Sequence, residues 1–445
     1  MVIHSMVSSY RRGAIGATIL LLVLFVGTAA QAQEPAQAQG GPPPSPAAEE
    51  ASAGGAQQEA EAEETEGEKL VTALKEGDFN VVFRYRYEVV DQDGFDLNAY
   101  ASTLRTVLNY RTASYHGFDL FLEAENVAVL GSDRYNNAGR DDNHNGVTDR
   151  PVIADPAGTE MNQAYLRYRG YDTSIGGGRQ EINLRDQRYV GAVGWRQNHQ
   201  SFDSILLTNN SLGSATIRYG FLGKAHRIFG DQQPMTTNLL DGTVDVAGIG
   251  DLSVYGYFID FDNKPLFGLS TKTFGFELAG KRDLSSGPSI QYEIEFAGQR
   301  DFGNNPKRVD ASYLHLMLGG GYQGFTAKLG YEVLGGNPED GKFTTPLATL
   351  HKFNGWADKF LSTPTNGLRD LYISASGPGG PVSWAVIFHD FGADSGGAHY
   401  GTEIDFQATY TAPWKQGFGF KGAYYSADEL ATDTFKVWLW TTYTF

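Results

Sequence analysis

The sequence predicts an all-β fold, a transmembrane antiparallel β-barrel, on three observations. First, apolar and polar residues alternate strictly over long stretches. "FNVVFRYRYEV" sets Phe79, Val81, Phe83, Tyr85, Tyr87 and Val89 against Asn80, Arg84, Arg86 and Glu88, and "SIQYEIEFA" sets Ile290, Tyr292, Ile294 and Phe296 against Gln291, Glu293 and Glu295. Period two is the signature of strands, not helices. Second, runs of about ten residues recur along the chain, the length that crosses a bilayer at a tilt. Third, aromatic residues gather toward run ends, as in "VYGYFIDF", "FGFKGAYY" and "VWLWTTYTF", where interfacial girdles lie. A soluble sandwich would bury the apolar face; a membrane barrel turns it to lipid and leaves the polar face to a wet lumen. A mean hydropathy of -0.33 rules out a chain dominated by helical spans.

The elements follow in order. Residues 1–32 read as a signal peptide: Arg11 and Arg12 precede the apolar run "AIGATILLLVLFVGTAA", and "AQA" ends at a cleavage point after Ala32. The run is short for a transmembrane helix. Residues 33–68 consist almost wholly of Ala, Gln, Glu, Pro, Gly and Ser. Such a segment buries too little apolar area to offset its ordering entropy. It is expected to be a disordered periplasmic linker, able to meet a periplasmic partner. The barrel is expected over residues 69–445.

Strand-like runs lie at 78–90, 99–111, 118–129, 161–169, 174–182, 201–208, 214–223, 250–261, 272–281, 289–301, 310–318, 324–334, 368–376, 382–391, 399–411, 416–425 and 435–445. These are seventeen, whereas single-chain bacterial barrels have even strand numbers, so sixteen or eighteen is expected. The last run, "FKVWLWTTYTF", puts Trp438 and Trp440 opposite its apolar face, in the lumen or at its rim. Its terminal Phe445, preceded by apolar residues at alternate positions, resembles the C-terminal recognition signal of bacterial outer-membrane barrels. That implies the bacterial outer membrane, and handling by its barrel assembly machinery.

The net charge of -17 argues against a nucleic-acid partner. The absence of cysteine excludes disulfides and thiolate metal sites. Within this acidic chain arginines concentrate in the first half. Alternation sends Arg84, Arg86, Arg105, Arg111, Arg167 and Arg169 to the polar face, and Arg179, Arg185, Arg188 and Arg196 fall within eighteen residues. Sequential strands of an up-and-down barrel are neighbours, so these guanidiniums can form a ladder inside the lumen. Arginine stays charged and grips carboxylates bidentately, which suits a path for anions. The same residues can instead pair with Glu88, Glu123 and Glu125 and brace the wall.

"GRQEI…DQRYVGAVGWRQNHQSFD", "FRYRYEVVDQDG…NAYASTLRTVLNY", "ADPAGTEMNQAYLRY", "KFTTPLATLHKFNGWADKFLSTPTNGLRDLY" and "FHDFGAD…HYGTEIDF" together resemble the alginate export family of outer-membrane barrels. The resemblance covers nearly all of residues 68–445. It implies an eighteen-stranded barrel with an arginine-rich constriction, in a family whose best-known role is passing polyanionic uronate polymer outward. The chain resembles the broader branch of that family more than the dedicated alginate exporters. Arg179, Arg188 and Arg196 stand inside the shared block; Arg185 stands where relatives are expected to be acidic.

Three further stretches bear on function. In "DDNHNGVTD", Asp141, Asn143, Asn145 and Asp149 occupy positions 1, 3, 5 and 9 of a calcium loop, with Gly146 at the sharp turn of position 6. Position 12 is Val152 where a glutamate is expected, and a plain Asn/Gly/Asp-rich surface loop fits as well. "HKFNGWADKF" (351–360) lies in a loop of about thirty residues, long enough to need a reason, and is expected to fold into the lumen as a constriction or plug. His315, His351 and His389 have no H-E-x-x-H or G-x-S-x-G context, so no enzyme is expected. The expected function is a passive outer-membrane channel, set in outer-membrane lipid, for anionic carbohydrate or small anionic solutes, uronate-containing polymer included. The alternative is a non-conducting structural or docking barrel.

Overall fold

The computed structural model describes residues 65–445 except Ser286 and the side chain of Asp141. The expected signal peptide and nearly all of the expected linker lie outside the described residues. The first described element, helix α1 (Glu66–Lys75), begins inside the stretch expected to be linker. Its start was legible: Thr65 and Glu68 form a capping box, each side chain accepting from the other residue's backbone N–H.

Eighteen antiparallel strands then form one closed sheet in which each strand pairs with its neighbours in sequence. The first, Asp78–Gln92, pairs with the last, Thr434–Thr444, in a register that sets Tyr87 against Leu439 and Val89 against Val437. All seventeen expected runs are strands. The one missing from the sequence reading is Gln232–Val246, whose Pro234 and Gly242 interrupt the alternation. Proline cannot donate to a ladder and is tolerated at bulges. Here Pro234 lies opposite Lys224, where the register to the preceding strand shifts between Leu222 and Lys224.

The two faces are inverted relative to a soluble protein. Phe79, Leu122, Leu166, Leu240, Leu318 and Leu329 are exposed on the outside, while Arg86, Glu88, Arg105, Glu125, Glu332 and Asp405 are buried within. No helix among the described residues is long and apolar enough to cross a membrane; the strands do the crossing. The turns at the end carrying α1, such as 112–117, 171–172 and 213–214, are short, whereas the opposite end carries the long loops 135–157, 181–200 and 335–367. Outer-membrane barrels keep short turns on the periplasmic side, which orients the chain.

Leu329→Arg, on the lipid face near mid-strand, should destabilise the barrel by about 2–4 kcal/mol, read from urea titrations of folding into phospholipid vesicles. A change near zero would mean that Leu329 does not face hydrocarbon.

Candidate functional site

Two of the long loops turn inward and fill the outer half of the lumen. Residues 181–200 and 343–363 meet in a short parallel pairing, where the Gly191 N–H donates to the Leu347 carbonyl at 2.9 Å and the Thr349 N–H to the Gln187 carbonyl at 3.1 Å. Their apolar residues form the interior core of the molecule: Ile182, Tyr189, Val190, Phe343, Leu347 and Phe360 are all buried. The expectation that 351–360 folds into the lumen is met in place, and 181–200 joins it.

The backbones of the two loops dock on wall side chains of opposite charge. The first strand and its neighbour present guanidiniums. Arg84 donates to Gln197 Oε1 at 2.8 Å, to the Gly194 carbonyl at 2.9 Å and to the Arg196 carbonyl. Arg86 donates to the Trp195 carbonyl at 2.5 Å and pairs with Asp155, which loop 135–157 brings in. Arg105 pairs with Glu125 at 2.6 Å and contacts His199 Nδ1 at 3.1 Å. The strands Phe325–Leu334, Leu368–Gly379 and His399–Thr411 present carboxylates, and these accept from loop N–H groups. Glu403 accepts from the Ala357 N–H at 2.6 Å and Asp405 from the Trp356 N–H at 3.2 Å. Asn354 donates to Glu332 at 2.6 Å and Asp370 at 3.1 Å.

Local backbone explains why the loop can offer these donors. Asn354 and Gly355 both have positive φ, 54° and 84°, so the following N–H groups converge as an anion-binding nest. A Cβ at position 355 would run into the Glu403 carboxylate, so glycine is required.

A second latch joins both loops to the last two strands. Asp358 accepts from Arg196 at 2.8 Å, Lys436 at 2.7 Å and His351 Nδ1 at 2.7 Å. Lys421 donates to His351 Nε2 at 3.0 Å and lies 4.0 Å from the Trp195 ring centroid and 3.8 Å from that of Trp356. Such desolvated cation–π contacts hold an ammonium without a second carboxylate. Trp195 stacks on His351, and Trp438 closes the box edge-on, so this tryptophan of the last strand is in the lumen.

The periplasmic mouth is different. Arg111, Arg167 and Arg169 converge on one carboxylate, Asp119, at 2.6, 3.1 and 3.0 Å. Asp119 is fully covered, while the guanidiniums are 29%, 24% and 42% exposed. Three cations on one anion leave a surplus positive charge in this cluster, which Asp78, the register partner of Arg111, offsets in part. Arg218 adds a fourth partly exposed guanidinium, paired with Asp241 at 2.9 Å.

The expected arginines therefore fall into three groups. Arg84, Arg86, Arg105, Arg188 and Arg196 hold the plug; Arg188 is 1% exposed and pairs with Glu332 at 2.8 Å. Arg111, Arg167 and Arg169 form the mouth. Arg179 is a correction, because it faces outward. Its register partner Ala164 lies opposite the exposed Leu122, and Arg179 pairs with Asp203 at 2.9 Å on the outer wall. Alternation through the glycine run Gly176–Gly178 sends Gly176 and Gly178 inward and Arg179 out. Of the expected wall partners, Glu88 and Glu125 do face arginines, but Glu123 is bonded by Asn162 at 2.8 Å and Gln163 at 3.1 Å. Arg185 bridges Glu277 and Glu295. In loop 141–149, Gly146 has the positive φ of a sharp turn, 79°, and Asn145 donates to the Tyr135 carbonyl at 2.8 Å. Among the described residues no three His, Cys, Asp or Glu side chains converge to hold a metal. Asp119, Asp358, Lys421 and Gly355 belong to the candidate site but do not stand out in the sequence; each meets partners distant in the chain, which spacing does not reveal.

The profile of the alginate export family matches residues 76–338, more than half of the sequence. The chain belongs to the alginate export family. It is an outer-membrane barrel of a channel family, and no curated protein matches it in sequence. Solved structures with the same architecture come from Pseudomonas aeruginosa. OccD3 (OpdP) aligns with a TM-score of 0.62 at 16% identity, over 84% of this chain and 92% of its own. OccK9 (OpdG) aligns with 0.67 at 12%, over 84% and 99%. OpdK, solved with vanillate, aligns with 0.65 at 13%, over 84% and 99%. At these identities the likeness is one of fold.

Deleting 340–364 should raise single-channel conductance, and an unchanged conductance would mean that this alginate export family member is not constricted by that loop. Asp358→Ala, which leaves Arg196 and Lys436 buried without their shared anion, should weaken loop docking by roughly 3–5 kcal/mol. Faster hydrogen exchange across 343–363 checks it.

Proposed function

We propose that the barrel is a passive channel for anionic carbohydrate or small anionic solutes, uronate-containing oligomers among them. The observation that carries this reading is the surplus charge at the periplasmic mouth: Arg111, Arg167 and Arg169 around the single covered Asp119. Guanidiniums with free edges offer exchangeable bidentate contacts to carboxylates. Conduction needs binding strong enough to admit the solute and weak enough to release it; partial neutralisation by Asp119 provides that balance. The family's alginate export role fits a polyanion, and OpdK's vanillate is a small carboxylate.

A second reading, a structural barrel with a closed lumen, is favoured by the plug itself, whose two loops are bonded to both walls. In the channel reading the loops narrow the path and do not seal it.

Reversal potentials in planar bilayers separate the two. The channel reading expects anion selectivity. Two unit charges at about 8 Å in water are worth about 1 kcal/mol together, so Arg167→Ala/Arg169→Ala should lower the anion-to-cation permeability ratio about five-fold at low salt. The double variant keeps Arg111 paired with Asp119, so no buried charge is orphaned. Arg179→Ala, on the outer wall, should leave selectivity unchanged. Cation selectivity would contradict the proposal, and a silent barrel would favour the second reading.

A further inference from the structure

Helix α1 flanks the barrel on its lipid side. Tyr110, which receives it, shares a face by register with Phe79 and Leu122, both exposed on the outer wall. The Tyr110 hydroxyl donates to the Leu74 carbonyl, and the Ala113 N–H donates to the Ala73 carbonyl at 3.0 Å. At the other end Glu66 accepts from the Tyr115 hydroxyl at 2.9 Å and pairs with His116 at 2.6 Å. The helix is thus held along the periplasmic rim, against turn 112–117. Hydrogen bonds from His116, Lys69 and Tyr115 hold the Glu66 carboxyl down to about 2. A carboxyl lowered in this way keeps its docking contribution above the ordinary carboxylate range and loses it only as the pH falls through that value.

Docking uses one side of the helix and leaves another open. Ala73 is the buried side chain, whereas Leu70, Val71 and Leu74 are 45%, 47% and 49% exposed. At 3.6 residues per turn these three share one arc, with Lys69 and Thr72 opposite it and Glu68 and Lys75 on its flank. No described residue of the barrel buries them.

We infer that Leu70, Val71 and Leu74 are embedded in phospholipid of the periplasmic leaflet, so that α1 is an interfacial anchor continuous with the barrel's lipid belt. The occupant follows from position. The helix is bonded to a residue of the lipid-facing row, and Phe118, at the start of the next strand beside the same turn, is itself exposed on that outer wall. An apolar arc opposed by a charged one is the pattern of a helix lying in the plane of an interface. Three apolar residues alone would bind weakly. Here the helix ends two residues before the first strand, so the barrel already holds it at the membrane and little further entropy is lost.

The chain has no cysteine, so single labels can be placed cleanly in the full-length protein. Val71→Cys, Thr72→Cys and Phe79→Cys, each carrying a nitroxide, are compared in phospholipid vesicles by power saturation with oxygen and a water-soluble nickel chelate. Heat-modifiable gel mobility verifies that each variant is folded. The label at 71 should match that at 79, with the logarithm of the oxygen-to-nickel ratio positive, while the label at 72 gives a negative value. A label at 71 as open to nickel as that at 72 would overturn the inference. So would one shielded from both reagents, which would mean that a second copy of the chain covers the face.

Discussion

A bilayer offers no partner to an unpaired backbone N–H or C=O, and this constraint shapes the whole molecule. Every strand must be paired on both edges within the hydrocarbon. The chain meets the demand by bringing Asp78–Gln92 against Thr434–Thr444. Closure then fixes the fate of each side chain by alternation alone. Residues such as Leu329 and Leu439 look into lipid, and their neighbours Lys328 and Trp438 look inward.

An interior filled in this way collects charge, and each charge must be paired or hydrated. The protein does both, at different depths. In the outer half the walls are complementary to the backbone of the inserted loops: arginines donate to loop carbonyls, and carboxylates accept from loop N–H groups. The loops gain partners for polar groups that would otherwise be stranded, and the wall charges gain partners without new side chains. At the periplasmic mouth the pairing is incomplete, with three guanidiniums to one carboxylate, and water completes it. The proposed selectivity resides in that incompleteness. A fully matched mouth would have nothing to offer a passing anion.

The barrel was legible because period two needs only near neighbours in the chain. Seventeen of its strands stood out, and the eighteenth was hidden because Pro234 sits at a bulge that only the partner strand reveals. The inward arginines of the first strands were legible for the same reason. Arg179 was not: it lies in a glycine run with no apolar neighbours to report its face, so a motif suggested the lumen where register dictates the outer wall. The plug's position was foreseen from loop length. Its anchoring was not, since Asp358, Lys421 and Glu403 meet their partners only after the barrel closes. The capping box of α1 was readable in Thr65 and Glu68, but the surrounding polar composition masked it.

The central claim is closure of the sheet with its apolar face outward, and cross-linking tests it most directly. Antiparallel partners lie close enough for a disulfide. Val89→Cys/Val437→Cys joins register partners on the first and last strands, while Phe83→Cys/Val437→Cys is out of register, since Phe83 faces Tyr443. In membranes under mild oxidation, the first pair should cross-link within one chain and the second should not. Failure of the register pair to link, or linkage only between separate chains, would contradict a closed barrel and the lumen inside it.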